Sequence, residues 1–191
     1  MHLLLVTNDD GVESPGLKAL VEALHSAGHP LLVCAPETEQ SASSMRLTLH
    51  RGLTVKRRDD VRDSLNLSVD GPAIEVYSVN GSPCDCVLTA LSGGLPEGVG
   101  VPAMCVSGAN QGPNLSIDVL HSGTVGAARQ AAMDGLPAMA VSLNSYTEDD
   151  YSGTAASAAA VVEALGKFLP KHPDNLMRPN GSNAKSDFSD P

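Results

Sequence analysis

The feature that most constrains this chain is its opening run, Leu3-Leu4-Leu5-Val6-Thr7-Asn8-Asp9-Asp10-Gly11. An unbroken apolar stretch bounded by a turn signal reads as a strand buried within a parallel sheet. Pro15 then opens a helix on which Leu17, Leu20, Val21 and Leu24 share one face, and Gly28 stops it. Leu31-Leu32-Val33-Cys34-Ala35 supplies a second strand. Strand, helix and strand in this order make a βαβ unit. Ligands of open α/β sheets collect at the carboxyl ends of the strands, where Asn8, Asp9 and Asp10 fall. Two adjacent acids there repel each other, and a divalent cation would relieve the repulsion. A lone Asp at such a point is more simply a helix cap. Asn-Asp-Asp-Gly straight after an apolar strand favours a metal site.

Further along, Pro36 closes the second strand, and Gln40-Ser41-Ala42-Ser43-Ser44 forms a polar loop at the same sheet edge. From Arg46 to Val79 apolar and polar residues partly alternate, which predicts short antiparallel or mixed strands in a hairpin excursion from the main sheet. Arg57-Arg58-Asp59-Asp60 reads as its solvated tip. A helix follows from Ser82-Pro83 to Gly93-Gly94, and Met104-Cys105-Val106 is a short strand. That strand runs into Ser107-Gly108-Ala109-Asn110-Gln111-Gly112-Pro113-Asn114, again at a carboxyl end. Ser122-Gly123-Thr124 opens a helix of small residues; such a start is ordinarily an N-cap, yet its free N–H groups and hydroxyls also suit a phosphate. Ala138 to Leu143 predicts another buried parallel strand, and Thr154 to Phe168 a last helix with Val161, Val162, Leu165 and Phe168 inward. His25, His29, His50 and His172 read as surface or loop residues. The expected division is a core over 1–168 and a mobile tail over 169–191.

Charge narrows the function classes. With 12 Lys and Arg against 22 Asp and Glu, the formal charge is -10. Such a surface repels duplex DNA and anionic membranes, so neither nucleic acid nor membrane is an expected partner. A small phosphorylated ligand remains compatible, because one cation inverts the field inside a pocket. No apolar run has the length of a membrane span and no leader pattern is seen, so the cytoplasm is the expected setting. Cys34, Cys84, Cys86 and Cys105 read as structural thiols.

Five ordered blocks resemble one family. They are Thr7-Asn8-Asp9-Asp10-Gly11, Ala35-Pro36 with Gln40-Ser41-Ala42, Gly81-Ser82-Pro83-Cys84-Asp85-Cys86-Val87, Ser107 to Asn114, and His121-Ser122-Gly123-Thr124-Val125. Together they are similar to the SurE survival-protein family of metal-dependent nucleotidases. The resemblance implies a Rossmann-like, mostly parallel sheet flanked by helices, and hydrolysis of nucleoside 5′- and possibly 3′-monophosphates by metal-activated water. It further implies one divalent cation per subunit, Mg²⁺ or Mn²⁺, on Asp9, Asp10, Ser41 and Asn110. Asn8, Gly108, Asn114, Ser122, Gly123 and Thr124 would line the phosphate pocket, and Asp9 would accept the water's proton. A nucleoside monophosphate or another small phosphate ester is the implied partner. The family's carboxy-terminal arm is shortened here, so the expected homo-oligomer is weakened or altered. The competing reading is a nucleotide-binding module without turnover.

Overall fold

The structure, a computed structural model, describes residues 1–169. Six strands form one sheet: β1 (Leu4–Thr7), β2 (Leu31–Pro36), β3 (Val55–Arg57), β4 (Ile74–Val79), β5 (Met104–Asn110) and β6 (Ala138–Ser142). Their order across the sheet is β3-β4-β2-β1-β5-β6, and every pairing is parallel except β3 with β4. Taking the parallel strands alone, the third, second, first, fourth and fifth lie side by side. This is the order of the doubly wound fold, with its switch point between β1 and β5.

Alternation along β1 divides the core. Leu4 and Val6 face α1 (Pro15–Ser26) and α6 (Ser152–Leu165), while Leu5 faces α3 (Pro83–Leu91) and α5 (Gly123–Met133). On α1, Leu17, Leu20, Val21 and Leu24 are buried at the helical repeat, and each such side chain contributes about 1.5–3 kcal/mol. Gly28, at φ +88°, turns the chain out of that helix. On α5 the small residues Ala127 and Ala131 let the helix settle closely on the sheet. Two short helices complete the described residues, α2 (Asp59–Asp63) and α4 (Asp118–His121), with a 3₁₀ turn at Gly166–Phe168.

Several expectations change. The hairpin excursion reduces to β3, because Ile74 to Val79 belong to the main parallel sheet beside β2. Leu47, Leu49, Leu65, Leu67 and Val69 lie outside any strand. Within Arg57-Arg58-Asp59-Asp60, Arg57 ends β3, Arg58 is the cap of α2 and the two acids open that helix. Three of the four are exposed, but the Arg58 side chain is only 15% exposed because it bridges Glu13 and Asp60. Strand β6 is parallel but not buried: among the described residues it pairs only with β5, and of its residues Val141 alone is buried. The inward face of α6 is Ala155, Ala158 and Val162, whereas Val161, Leu165 and Phe168 are exposed. His25 and His29 are buried, each facing a carbonyl, Pro72 O at 2.9 Å and His2 O at 3.3 Å respectively. The tail expected over 169–191 lies outside the described residues except Leu169, which packs in the core.

Candidate active site

Asp9 and Asp10 leave β1 at the switch point. The turn is set by Asn8, whose Nδ2 donates to Gly11 O at 3.0 Å and to Ser14 Oγ at 2.7 Å. Gly11, at φ +101°, makes the sharp exit. The backbone N–H of Gln40 donates to Asp9 O at 2.6 Å, so the loop after β2 is drawn against the same turn.

The Asp9 side chain is buried against the start of α5. Its carboxylate accepts the Thr124 hydroxyl and the backbone N–H groups of Gly123 and Thr124. These bonds and the helix dipole favour the ionised form. Burial outweighs them, and the Asp9 carboxyl is held above its ordinary range. The Asp10 carboxyl is pushed up to about 6, by burial first and then by the neighbouring charge of Asp9. The N–H of Gln111, donating to Asp10 Oδ2 at 3.2 Å, offsets part of that rise. The side chain of Asn110 faces the same point, with Oδ1 3.4 Å from Thr124 Oγ1.

This donor set fits a hard divalent cation. Two carboxylates and an amide oxygen come from the ends of the adjoining strands β1 and β5, and the groups that shift Asp9 and Asp10 include no cation among the described residues. Buried oxygens lack partners nearby: Asn8 Oδ1 and Ser43 Oγ. A Cβ on Gly123 would stand 2.4 Å from Ser43 Oγ and 2.9 Å from Asp9 Oδ2, so only glycine lets the Ser43 hydroxyl and the Asp9 carboxylate both approach the backbone at the start of α5.

The other expected residues are placed less directly. Ser41 is exposed, and its hydroxyl donates to Glu39 at 2.7 Å, not to either aspartate. Ser122 caps α5, accepting from Val125 N at 3.1 Å. Gly108 gives β5 room to pass β6, since a Cβ there would stand 2.3 Å from Val141 O. Asn114 Nδ2 donates to Ser142 Oγ at 2.8 Å, fixing the loop after β5. The structure adds Ser43 and the Gln111 N–H, neither of which the sequence singled out. Ser43 stood in the serine-rich loop, but nothing in its spacing separates it from Ser41 or Ser44.

A cleft of about 590 Å³ opens beside the acids, with Asp10, Glu13, Glu37, Glu39, Gln111 and Tyr151 in its wall. A second cavity, about 350 Å³, lies under α2. Its lining is largely aliphatic, and neither aspartate of the pair belongs to it.

The family described as Survival protein SurE matches residues 4–184. The 5′-nucleotidase SurE of Synechococcus elongatus is 40% identical over 177 residues, 93% of this chain and 64% of that protein. The 5′-nucleotidase SurE of Synechocystis sp. is 41% identical over 162 residues, covering 85% and 55% of the two chains. Among solved structures, the SurE protein from Aquifex aeolicus superimposes with a TM-score of 0.73 at 31% identity, over 90% of this chain and 62% of that one. The chain therefore spans less than two thirds of the length of these relatives.

Proposed function

Because the chain belongs to the SurE survival-protein family, we propose that it is a metal-dependent phosphomonoesterase acting on nucleoside 5′- or 3′-monophosphates. The observation that carries this reading is the Asp9–Asp10 pair, with Asp9 buried against the N-terminus of α5, Asp10 half-buried beside it, and Thr124 and Asn110 in reach. Acids that burial and mutual repulsion destabilise are matched to a cation, and a helix start is matched to a phosphate.

In this reading Asp9, Asp10, Asn110 and Ser41 hold one Mg²⁺ or Mn²⁺. Ser41 would exchange its bond to Glu39 for the ion. A cation held by these residues would supply the charge that polarises a phosphoryl oxygen and acidifies a water. The chain does the rest. The N–H groups of Gly123 and Thr124 and the Thr124 hydroxyl, which face Asp9 in the free protein, would turn to the phosphoryl oxygens and stabilise charge as it develops there. Ser122 keeps the first turn of α5 formed, and Asn8, Gly108 and Asn114 shape the pocket wall. Asp9 accepts the proton of the attacking water. The Thr124 hydroxyl, bonded to Asp9, orients its carboxylate for that task.

Self-association and a cytoplasmic setting belong to the same reading. The first is supported by the exposed apolar side chains Val161, Leu165 and Phe168 at the end of α6. The second is supported by free thiols at Cys34, Cys84, Cys86 and Cys105, since disulfides are rare in that compartment. None of the helices in the described residues is long and apolar enough to cross a membrane.

The test is phosphate release from a panel of nucleoside monophosphates with Mg²⁺, with Mn²⁺ and with EDTA. Turnover that needs the metal supports the reading. Binding of nucleotide and metal without turnover would replace it with a binding module.

A further inference from the structure

We infer that Tyr146 is the platform on which the base of a nucleoside monophosphate stacks while its phosphate lies at the start of α5. The inference deepens the phosphomonoesterase reading and rests on it. A nucleoside differs from a bare sugar phosphate by one flat, uncharged ring, and proteins hold such rings on aromatic side chains. This chain has few to offer: Tyr 3, Phe 2 and Trp 0. Tyr77 is 1% exposed beneath α3, and Tyr151, although in the wall of the cleft, is 6% exposed and packed in the core, with no open face to offer a base. Phe168 is exposed but lies beyond the far end of the 14-residue α6, about 21 Å along the helix from its start. Tyr146, 68% exposed, is the one open ring at the site's end of the sheet among the described residues.

Its position is fixed on both sides. Ser145 Oγ accepts the N–H groups of Thr147 at 3.2 Å and Glu148 at 3.0 Å, which makes Tyr146 part of a tight turn. Leu143 N donates to Asn110 O at 2.9 Å, tying the root of that loop to the end of β5. The ring then lies on Gly112, where a Cβ would stand 2.4 Å from Tyr146 Cε1, so only glycine allows the contact. Gly112 follows Gln111, which lines the cleft and whose N–H meets Asp10. Neighbouring Cα atoms are about 3.8 Å apart, so the ring stands beside the cleft's rim. The opposite wall carries Glu13, Glu37 and Glu39, which repel a second phosphate and favour an uncharged group beyond the first.

Calorimetric titration of adenosine monophosphate and of ribose 5-phosphate, with Mn²⁺ present, compares the parent with Tyr146→Ala and Tyr146→Phe. Tyr146→Ala should weaken adenosine monophosphate about tenfold, the scale of one base–aromatic stack, and raise KM without lowering kcat. Tyr146→Phe should stay near the parent, and ribose 5-phosphate should bind all three alike. The inference is overturned if Tyr146→Ala keeps the parental nucleotide affinity, or loses both ligands equally. It is equally overturned if the parent binds adenosine monophosphate no tighter than ribose 5-phosphate. A Tyr146→Ala variant that changes sedimentation and leaves nucleotide affinity intact would assign the ring to contact between copies instead. Phosphate release from ribose 5-phosphate by the parent reports on hydrolysis separately, so failure of the enzymatic reading and failure of the platform give different results.

Discussion

Asp9 and Asp10 are neighbours in sequence, yet they titrate for different reasons. Asp9 is lifted by burial against several donors that stabilise its charge, foremost the Thr124 hydroxyl. Asp10 is lifted by burial and then by Asp9. Thr124 therefore has two duties in the proposed site, to orient Asp9 and to meet a phosphate. Replacing it by Val preserves the shape and removes the hydroxyl. Hydrogen bonds to charged groups contribute about 1.5–3 kcal/mol, so inhibition by inorganic phosphate should weaken about tenfold or more in Thr124→Val. Mn²⁺ affinity should change less, because both carboxylates and Asn110 remain. A fall in metal affinity as large as that in phosphate affinity would make Thr124 a positioner of Asp9 only. The acid pair stood out in the sequence, since two adjacent carboxylates at a strand end repel each other, although a capping role could not be told apart from a metal-holding one there. Ser43 did not stand out, because an orphaned hydroxyl is visible only once its burial is known.

The loop from Ser41 to Thr48 shows how elements hold those residues in place. Ser44 N donates to His121 O at 2.9 Å and Ser44 Oγ to Leu120 O at 2.7 Å, strapping the loop to the entry of α5. Thr48 N donates at 2.9 Å to Asp85, which also closes the capping box of α3 with Ser82. The strap is possible because α5 presents Gly126 to the loop: a Cβ there would stand 2.0 Å from Ser44 O. Gly to Ala inside a helix ordinarily stabilises by about 1 kcal/mol. Here the clash is with backbone, so Gly126→Ala should lower the melting temperature and weaken Mn²⁺ about tenfold, the usual loss when support around a metal is disturbed. A more stable Gly126→Ala variant with parental Mn²⁺ affinity would show that the loop does not need the close approach. At this scale the sequence was a partial guide. The apolar runs Leu4–Val6 and Leu31–Ala35 announced β1 and β2, whose burial on both faces leaves no ambiguity. Alternation across 46–79 misled, because β4 has half-buried residues at its start and β3 is too short to impose a pattern. Strand β6 misled in the opposite sense, being apolar in composition but at the sheet edge.

For the molecule as a whole, the consequence of a site short of positive charge is a characteristic pH dependence of the metal-free protein. Asp10 ionises at 3.8 in the unfolded chain and at about 6 in the fold. Between those values the folded state holds the extra proton, so stability falls as pH rises through about 4 to 6, and Asp9 acts in the same direction. Asp60, drawn down to about 2 by its bond to Arg58, acts oppositely and only below pH 3.8. Thermal melts in EDTA should therefore show a decline across that window, which saturating Mn²⁺ removes. A metal-free melting temperature that rises between pH 4 and 6 would contradict the electrostatics of the pair. The sheet order and the switch point emerge only from the assembled chain, yet they explain why segments far apart in sequence, at Asp9, Ser43, Asn110 and Thr124, meet at one edge. The most direct test of that meeting is titration of Mn²⁺ into EDTA-stripped protein, parent against Asp10→Asn. One ion per chain should bind the parent, and Asp10→Asn should lose binding by about 100-fold or more, since a metal-held charge is worth several kcal/mol. Equal binding by the two proteins, or none by the parent, would contradict it.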